Sequence, residues 1–232
     1  MSCHKKAGVG AMTENDKLDI LYKYQEMDEL SKEQIKQAIR YTHDKSSLVR
    51  LEAAQCLFQE YPVTAKVLMR LTRDRDELVR VCAYETLGLY SPETVELFLK
   101  NAMIRERKKL ALAYAIRAWV DVVVEKGEDF KENLRYLKKI ERKRRVKKSE
   151  YCIFACLTGK YLLGEETVLK EILQKIYHPN YRVRCWAIND MEYIYNDKNK
   201  GQIIRYMTKA LNDPARSVSS EAEKSLKVIR ND

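Results

Sequence analysis

Apolar residues return every three to four positions along almost the whole chain, and the stretches that carry this period are separated by short polar turns. Such spacing gathers apolar side chains on one face of a helix and leaves the opposite face polar. The pattern predicts a leading helix over 14–28 and six helical pairs: 32–42 with 46–60, 62–72 with 76–89, 92–102 with 105–125, 129–139 with 149–163, 165–176 with 181–196, and 199–211 with 215–230. Start signals agree with this parsing. Ser31 followed by Gln34 forms a capping box, and Ser91-Pro92-Glu93 sets an N-cap before proline in a first turn. Pro62 stands in the same way after Tyr61, and Asp44, Asp74 and Asp213 occupy the turns before second helices, where an acid favours a helix N-terminus.

The second helices repeat one another. In the segments that start at Asp44, Asp74, His178 and Asp213, valine (Val49, Val79, Val183, Val218) is followed four residues on by alanine (Ala53, Ala83, Ala187, Ala222). A long apolar residue (Leu57, Leu87, Met191, Leu226) comes four residues after that. Arginine follows the valine in three copies, as Arg50, Arg80 and Arg184, and Ser219 takes its place in the last. The two inner copies, near Leu110 and Tyr151, keep small residues at Ala113 and Ala155 but place Arg117 and Gly159 where a long apolar residue is due. A single pair cannot bury such a face, whereas a stack of pairs buries it against the next copy.

Composition sharpens this to an all-α chain. The sequence has 232 residues with 7 Gly and 4 Pro, 34% charged and 45% hydrophobic, so loops are short and helix formers dominate. No apolar stretch reaches the ~18 residues of a membrane span, and Met1–Met12 lacks the apolar run of a signal peptide and reads as a flexible tail ahead of a single repeat domain over 13–230. The six cysteines (Cys3, Cys56, Cys82, Cys152, Cys156, Cys185) form no C-x-x-C pair, which points to free thiols in a reducing, cytoplasmic compartment.

The Asp…Val-Arg…Ala…Leu signature resembles the HEAT-repeat family, particularly the short bacterial HEAT-like repeats found in the bilin-lyase class, over about residues 31–230. The resemblance implies a right-handed α-solenoid whose second helices line an extended concave groove, a surface suited to a protein segment or a nucleic-acid backbone. In the family the turn Asp and the helix Arg bond between neighbouring repeats. That role maps onto Asp44 and Arg50, and onto Asp74 and Arg80. Arg184 follows His178 rather than an acid, which breaks the motif there, and Asp213 has no following Arg.

Charge adds one surface feature. Of the net charge of +10, +7 lies in Lys138–Lys148, with eight basic residues and one acid. This stretch falls between the helices of the fourth pair, and other turns carry Arg73 and Arg75, Arg105, Arg107, Lys108 and Lys109, and Arg182 with Arg184. In a solenoid such turns share an edge. The expected partner-binding residues are Arg105, Lys108, Lys109, Arg142, Lys143, Arg144, Arg145, Lys147 and Lys148, and the alternative is a solvated loop. A strongly basic patch favours anionic partners.

Other chemistry is thin. Trp119 and Trp186 read as packing residues, and Tyr61, Tyr90 and Tyr195 recur at the ends of second helices as junction packing. Some HEAT-like proteins excise alkylated bases with aromatic residues and an Asp, to which Trp119 with Asp121 bears only a faint likeness. No lyase motif transfers. Cys152 with Cys156, His43, His178 and Cys3-His4 do not make a four-ligand metal set, and no nucleophile-elbow, P-loop, dinucleotide or zinc-protease motif occurs. The expectation is a non-catalytic scaffold with no cofactor or metal that binds a protein partner in its groove or along the basic edge. Nucleic-acid binding is the alternative, and a glycosylase-like enzyme stands behind both.

Overall fold

The computed structural model describes residues 12–231, so the tail expected over 1–12 falls, Met12 apart, outside the described residues, as does Cys3-His4. The described residues are helical throughout, with no strand among them. They divide into two compact units, one ending at Val95 and the other beginning at Glu96.

The first unit holds α1 (Glu14–Gln25), α2 (Lys32–Tyr41), α3 (Ser47–Gln55), α4 (Pro62–Leu71) and α5 (Glu77–Leu87). The Ser31–Gln34 capping box forms as expected. A second box, Thr13 with Asp16, starts α1 and was not read from the sequence. Ser46 and Asp76 are the actual N-caps of α3 and α5. Asp44 and Asp74 stand two residues earlier, where their carboxylates accept from the amides of Ser46 and Asp76 and so shape the turn. The repeated positions are buried: Val49, Ala53, Leu57, Val79, Ala83 and Leu87 are each 0% exposed. Alanine at the middle position lets α3 and α5 pack closely.

Polar bonds tie each copy to the next. Arg50 donates from Nε and Nη2 to the two oxygens of Asp74 at 2.8 Å each, and from Nη1 to the carbonyls of Asp44 and Lys45. Asp44 in turn receives Lys17 of α1. The arginine therefore reaches the turn aspartate one repeat ahead, while it holds the carbonyls of its own turn. Arg80 repeats the second half of this pattern by donating to the Asp74 carbonyl at 3.1 Å. Tyr90 is fully buried, and its hydroxyl donates to the Leu57 carbonyl at 2.6 Å. Its expected junction role fits this packing, whereas Tyr61 is 37% exposed.

The helix α6 (Pro92–Arg105) runs into the second unit, which continues with α7 (Lys109–Lys126), α8 (Phe130–Glu141), α9 (Arg144–Lys147) and α10 (Glu150–Leu162). It ends with α11 (Leu169–Gln174), α12 (Tyr181–Tyr193), α13 (Lys200–Ala210) and α14 (Arg216–Asn231). Short 3₁₀ turns at Glu166–Val168 and Lys175–Tyr177 break up what the pattern reads as one helix over 165–176. Gly127, in a left-handed conformation (φ 71°), closes α7 as only glycine does without strain. Val183, Ala187, Met191, Val218, Ala222 and Leu226 form one apolar cluster with Ile172, Ile203 and Met207. Trp119 is 0% exposed, as a packing residue should be.

Arg184 corrects the sequence reading. The missing acid at His178 does not break its bond, because its partner is the following turn's Asp213, met by Nε at 2.7 Å and Nη2 at 2.8 Å. Its Nη1 holds the His178 and Pro179 carbonyls, as Arg50 holds those of its own turn.

Gly159 also gains a reason. A Cβ there would lie 2.7 Å from Val120 Cγ2 and 2.9 Å from Leu137 Cδ2, so α10 approaches its neighbours too closely for a larger residue. Burial pushes the thiols of Cys56 and Cys82 up to about 12 and raises that of Cys156 as well, so these sulfurs serve as apolar packing.

Candidate functional site

The basic stretch is folded. Its first four residues, Lys138 to Glu141, belong to the end of α8, and Arg144–Lys147 form the short helix α9. Val146 of α9 is fully buried and anchors it. Arg145 is the exception among the expected binding residues. Its guanidinium turns inward and donates to the carbonyls of Met103 at 2.6 Å, Ile104 at 2.8 Å and Glu106 at 2.9 Å. These carbonyls lie at and just past the end of α6, where backbone oxygens lack helical partners and a cation is favoured by the helix dipole. Arg145 thus holds α9 against the end of α6 and does not extend into solvent with its neighbours. Replacing it with alanine strips these carbonyls of their donor and is expected to lower stability by about 2–3 kcal/mol, measured by urea unfolding.

That anchor joins two turns. Arg105, Arg107, Lys108 and Lys109 belong to the 105–109 turn, and Arg142, Arg144, Lys147 and Lys148 to the other, and all eight are exposed. Cys152 reinforces the junction through a contact of its sulfur with the Lys109 carbonyl at 3.2 Å. Lys143 is half-buried, and burial, together with the charges of Arg145 and Lys139, pushes its ammonium below the ordinary lysine value. The nearby acids are engaged. Glu106 is buried and accepts from the amides of Arg107 and Lys108 at 2.8 Å. Glu141 pairs with Lys160 at 2.8 Å, and Glu150 lies 3.6 Å from Lys175. Arg182 stands over the Tyr181 ring, and Arg184 is committed to Asp213.

A second cluster, which the sequence reading passed over, lies on α7, α10 and α12. Between its buried faces α7 leaves Tyr114, Arg117, Asp121 and Val124 half-buried, at helical spacing. The middle of α10 presents Ala155, Thr158 and Gly159, small enough for side chains of α7 and α12 to meet above them around a shallow recess. Arg117 donates to the Oδ1 of Asp190, which is 0% exposed, and Thr158 donates to its Oδ2 at 2.5 Å. Burial pushes the Asp190 carboxyl up, against the pull of Arg117 and Thr158. Tyr193 donates to Asp121 at 2.6 Å, and burial raises the Asp121 carboxyl too.

Four aromatic rings surround these charges. The Arg117 guanidinium lies 5.7 Å from the Trp186 ring and 5.9 Å from that of Tyr193. Tyr114 and Tyr151 pack against Trp186 at 5.6 and 4.8 Å. Trp186 is therefore half-buried in this cluster, while Trp119 lies in the core apart from it; Asp121 shares the site with Trp186, not with Trp119. The available signal was the repeat itself, because Arg117 and Gly159 occupy the two positions where the expected long apolar residue fails. Among the described residues no group of three or more His, Cys, Asp or Glu is arranged to hold a metal ion, and no helix is long and apolar enough to cross a membrane.

No family model matches the sequence, and no curated protein does. Solved structures do. The X-ray structure of YibA from Escherichia coli aligns at 15% identity over 100% of this chain and 78% of that one, with a TM-score of 0.52. The complex of CpcE and CpcF of phycocyanin lyase from Nostoc sp. PCC7120 aligns at 14% identity over 99% of this chain and 93% of that one, with a TM-score of 0.59. An archaeal HEAT-like repeats protein from Thermococcus onnurineus NA1 aligns at 16% identity over 93% of each chain, with a TM-score of 0.39. At these identities the likeness to YibA and to the phycocyanin lyase complex is one of fold.

Proposed function

We propose that this all-α protein, whose fold is that of the HEAT-like repeat solenoids, is a non-catalytic scaffold that docks an acidic segment of a protein partner on its two basic turns. One observation carries the reading. Arg145, bound to three carbonyls, locks the 105–109 turn against α9 and holds Arg105, Lys108, Lys109, Arg142, Arg144, Lys147 and Lys148 outward. Cations held in a fixed array, with their nearest acids engaged elsewhere, are costly through mutual repulsion and are relieved by an anionic surface. The phycocyanin lyase structure is itself a complex of two chains, which supports a protein partner. Buried free cysteines fit a reducing cytoplasm.

The test is charge reversal that spares the anchor. Arg142, Arg144, Lys147 and Lys148 are changed together to Glu, and binding of a poly-glutamate peptide, duplex DNA, RNA and anionic vesicles is measured for both proteins. The wild type is expected to bind the acidic peptide at ~50 mM salt and to release it steeply by ~200 mM, because the contact is a surface one. The variant is expected to bind at least about tenfold more weakly. Binding of nucleic acid without the peptide transfers the patch to a nucleic-acid role, and silence towards every probe at ~50 mM salt ends the anionic-partner reading.

A further inference from the structure

We infer that the surface beside the shallow recess of α7, α10 and α12 binds the guanidinium of an arginine side chain from a protein partner, laid over the exposed Tyr193 ring and paired with Asp121 at the rim. Counting charges leads there. The site holds Arg117, Asp190 and Asp121, one cation against two carboxylates. Asp190 is wholly buried and already takes Arg117 and Thr158. Asp121 is the carboxylate without a salt-bridge partner of its own. It accepts one neutral hydroxyl, that of Tyr193 at 2.6 Å, and it faces the recess. A half-buried carboxylate left with a phenol is a weakly compensated charge that an incoming cation neutralises.

The surroundings select the kind of cation. Tyr193 is 48% exposed, and aromatic ring faces attract cations. A guanidinium is planar and weakly hydrated, stacks on such a ring and can donate to a carboxylate at its edge, whereas an ammonium is a compact, strongly hydrated point charge. Arg117 shows the geometry from the protein's own side, with its guanidinium 5.9 Å from the same Tyr193 ring and bonded to a carboxylate. An anionic ligand would find Arg117 already neutralised by Asp190 and Asp121 beside it.

The tripeptides Ac-Gly-Arg-Gly-amide, Ac-Gly-Lys-Gly-amide and Ac-Gly-Glu-Gly-amide are the probes, titrated into the full chain and followed by backbone amide NMR. The arginine peptide is expected to shift the resonances of Asp121, Trp186 and Tyr193 saturably, several-fold more tightly than the lysine peptide. Asp121→Asn is expected to weaken this by about tenfold with an unchanged or higher melting temperature, since it removes a poorly compensated charge. Tyr193→Leu is expected to weaken it by about fivefold through loss of the ring face. The inference fails if the arginine peptide gives no saturable shift, if lysine binds as tightly, if glutamate binds better, or if the folded Asp121→Asn protein binds arginine unchanged. Only the resonances of Asp121, Trp186 and Tyr193 are scored, so a glutamate peptide held at the basic turns does not count here, and this result and the acidic-partner result stand or fall separately.

Discussion

Asp190→Ala is expected to destabilise the protein by about 3 kcal/mol in urea unfolding at neutral pH, out of proportion to the few atoms removed. Asp190 is 0% exposed and accepts from both Arg117 and Thr158. Removing it leaves a guanidinium and a hydroxyl without their acceptor beside a small void. The cost sits at the lower end for a broken buried pair because 26% of the Arg117 side chain remains in contact with solvent. Replacing both partners, Arg117→Met with Asp190→Leu, is expected to recover most of the loss, since isolated charges are what the interior penalises. If Asp190→Ala unfolds at the wild-type urea midpoint, the pair is not part of the fold's stability.

Arg50→Ala is expected to be at least as damaging, about 3–4 kcal/mol, because one side chain joins two repeats. Its side chain is 6% exposed and that of Asp74 10%, and the residue makes two bonds to that carboxylate and two to carbonyls of its own turn. Arg50→Lys is expected to recover only a minor part, since an ammonium cannot reproduce the fork. Acid titration gives an independent check. Burial raises the Asp74 carboxyl, but Arg50, together with the Asp76 amide and the charge of Arg75, outweighs it and the carboxyl stays below its ordinary 3.8. A folded-state value lower than the unfolded one means that this stabilisation is complete above that ordinary value and is lost as pH falls through the folded one. The wild type is therefore expected to lose more stability than Arg50→Ala on acidification below about pH 4, and equal losses refute the coupling.

Much of this architecture is visible in the order of residues. The triplets at Val49, Val79, Val183 and Val218 are buried as their spacing requires, because a helix turns by a fixed angle per residue and a three-point apolar stripe has one face to hide. The capping box at Ser31 is local chemistry, complete within four residues. The basic residues at 142–148 are equally plain to read, but not their roles. Arg144 and Arg145 are neighbours with the same side chain, and one is exposed while the other holds the end of α6. Only the proximity of a helix end remote in sequence separates them.

The same limit applies to the cluster on α7, α10 and α12. Arg117 and Asp190 are 73 positions apart, and nothing between them records that small residues on α10 let the two meet. What the amino-acid order determined alone is the class of fold, the stripe each helix buries and the ends where helices begin, since these depend on contacts within a few residues or on a repeated neighbour. What tertiary structure decided is which charges face water, which arginine pairs with which aspartate, and where aromatic rings gather around Asp121. Those outcomes depend on distances across the chain, and the energy of a charge is set by its surroundings rather than by its identity.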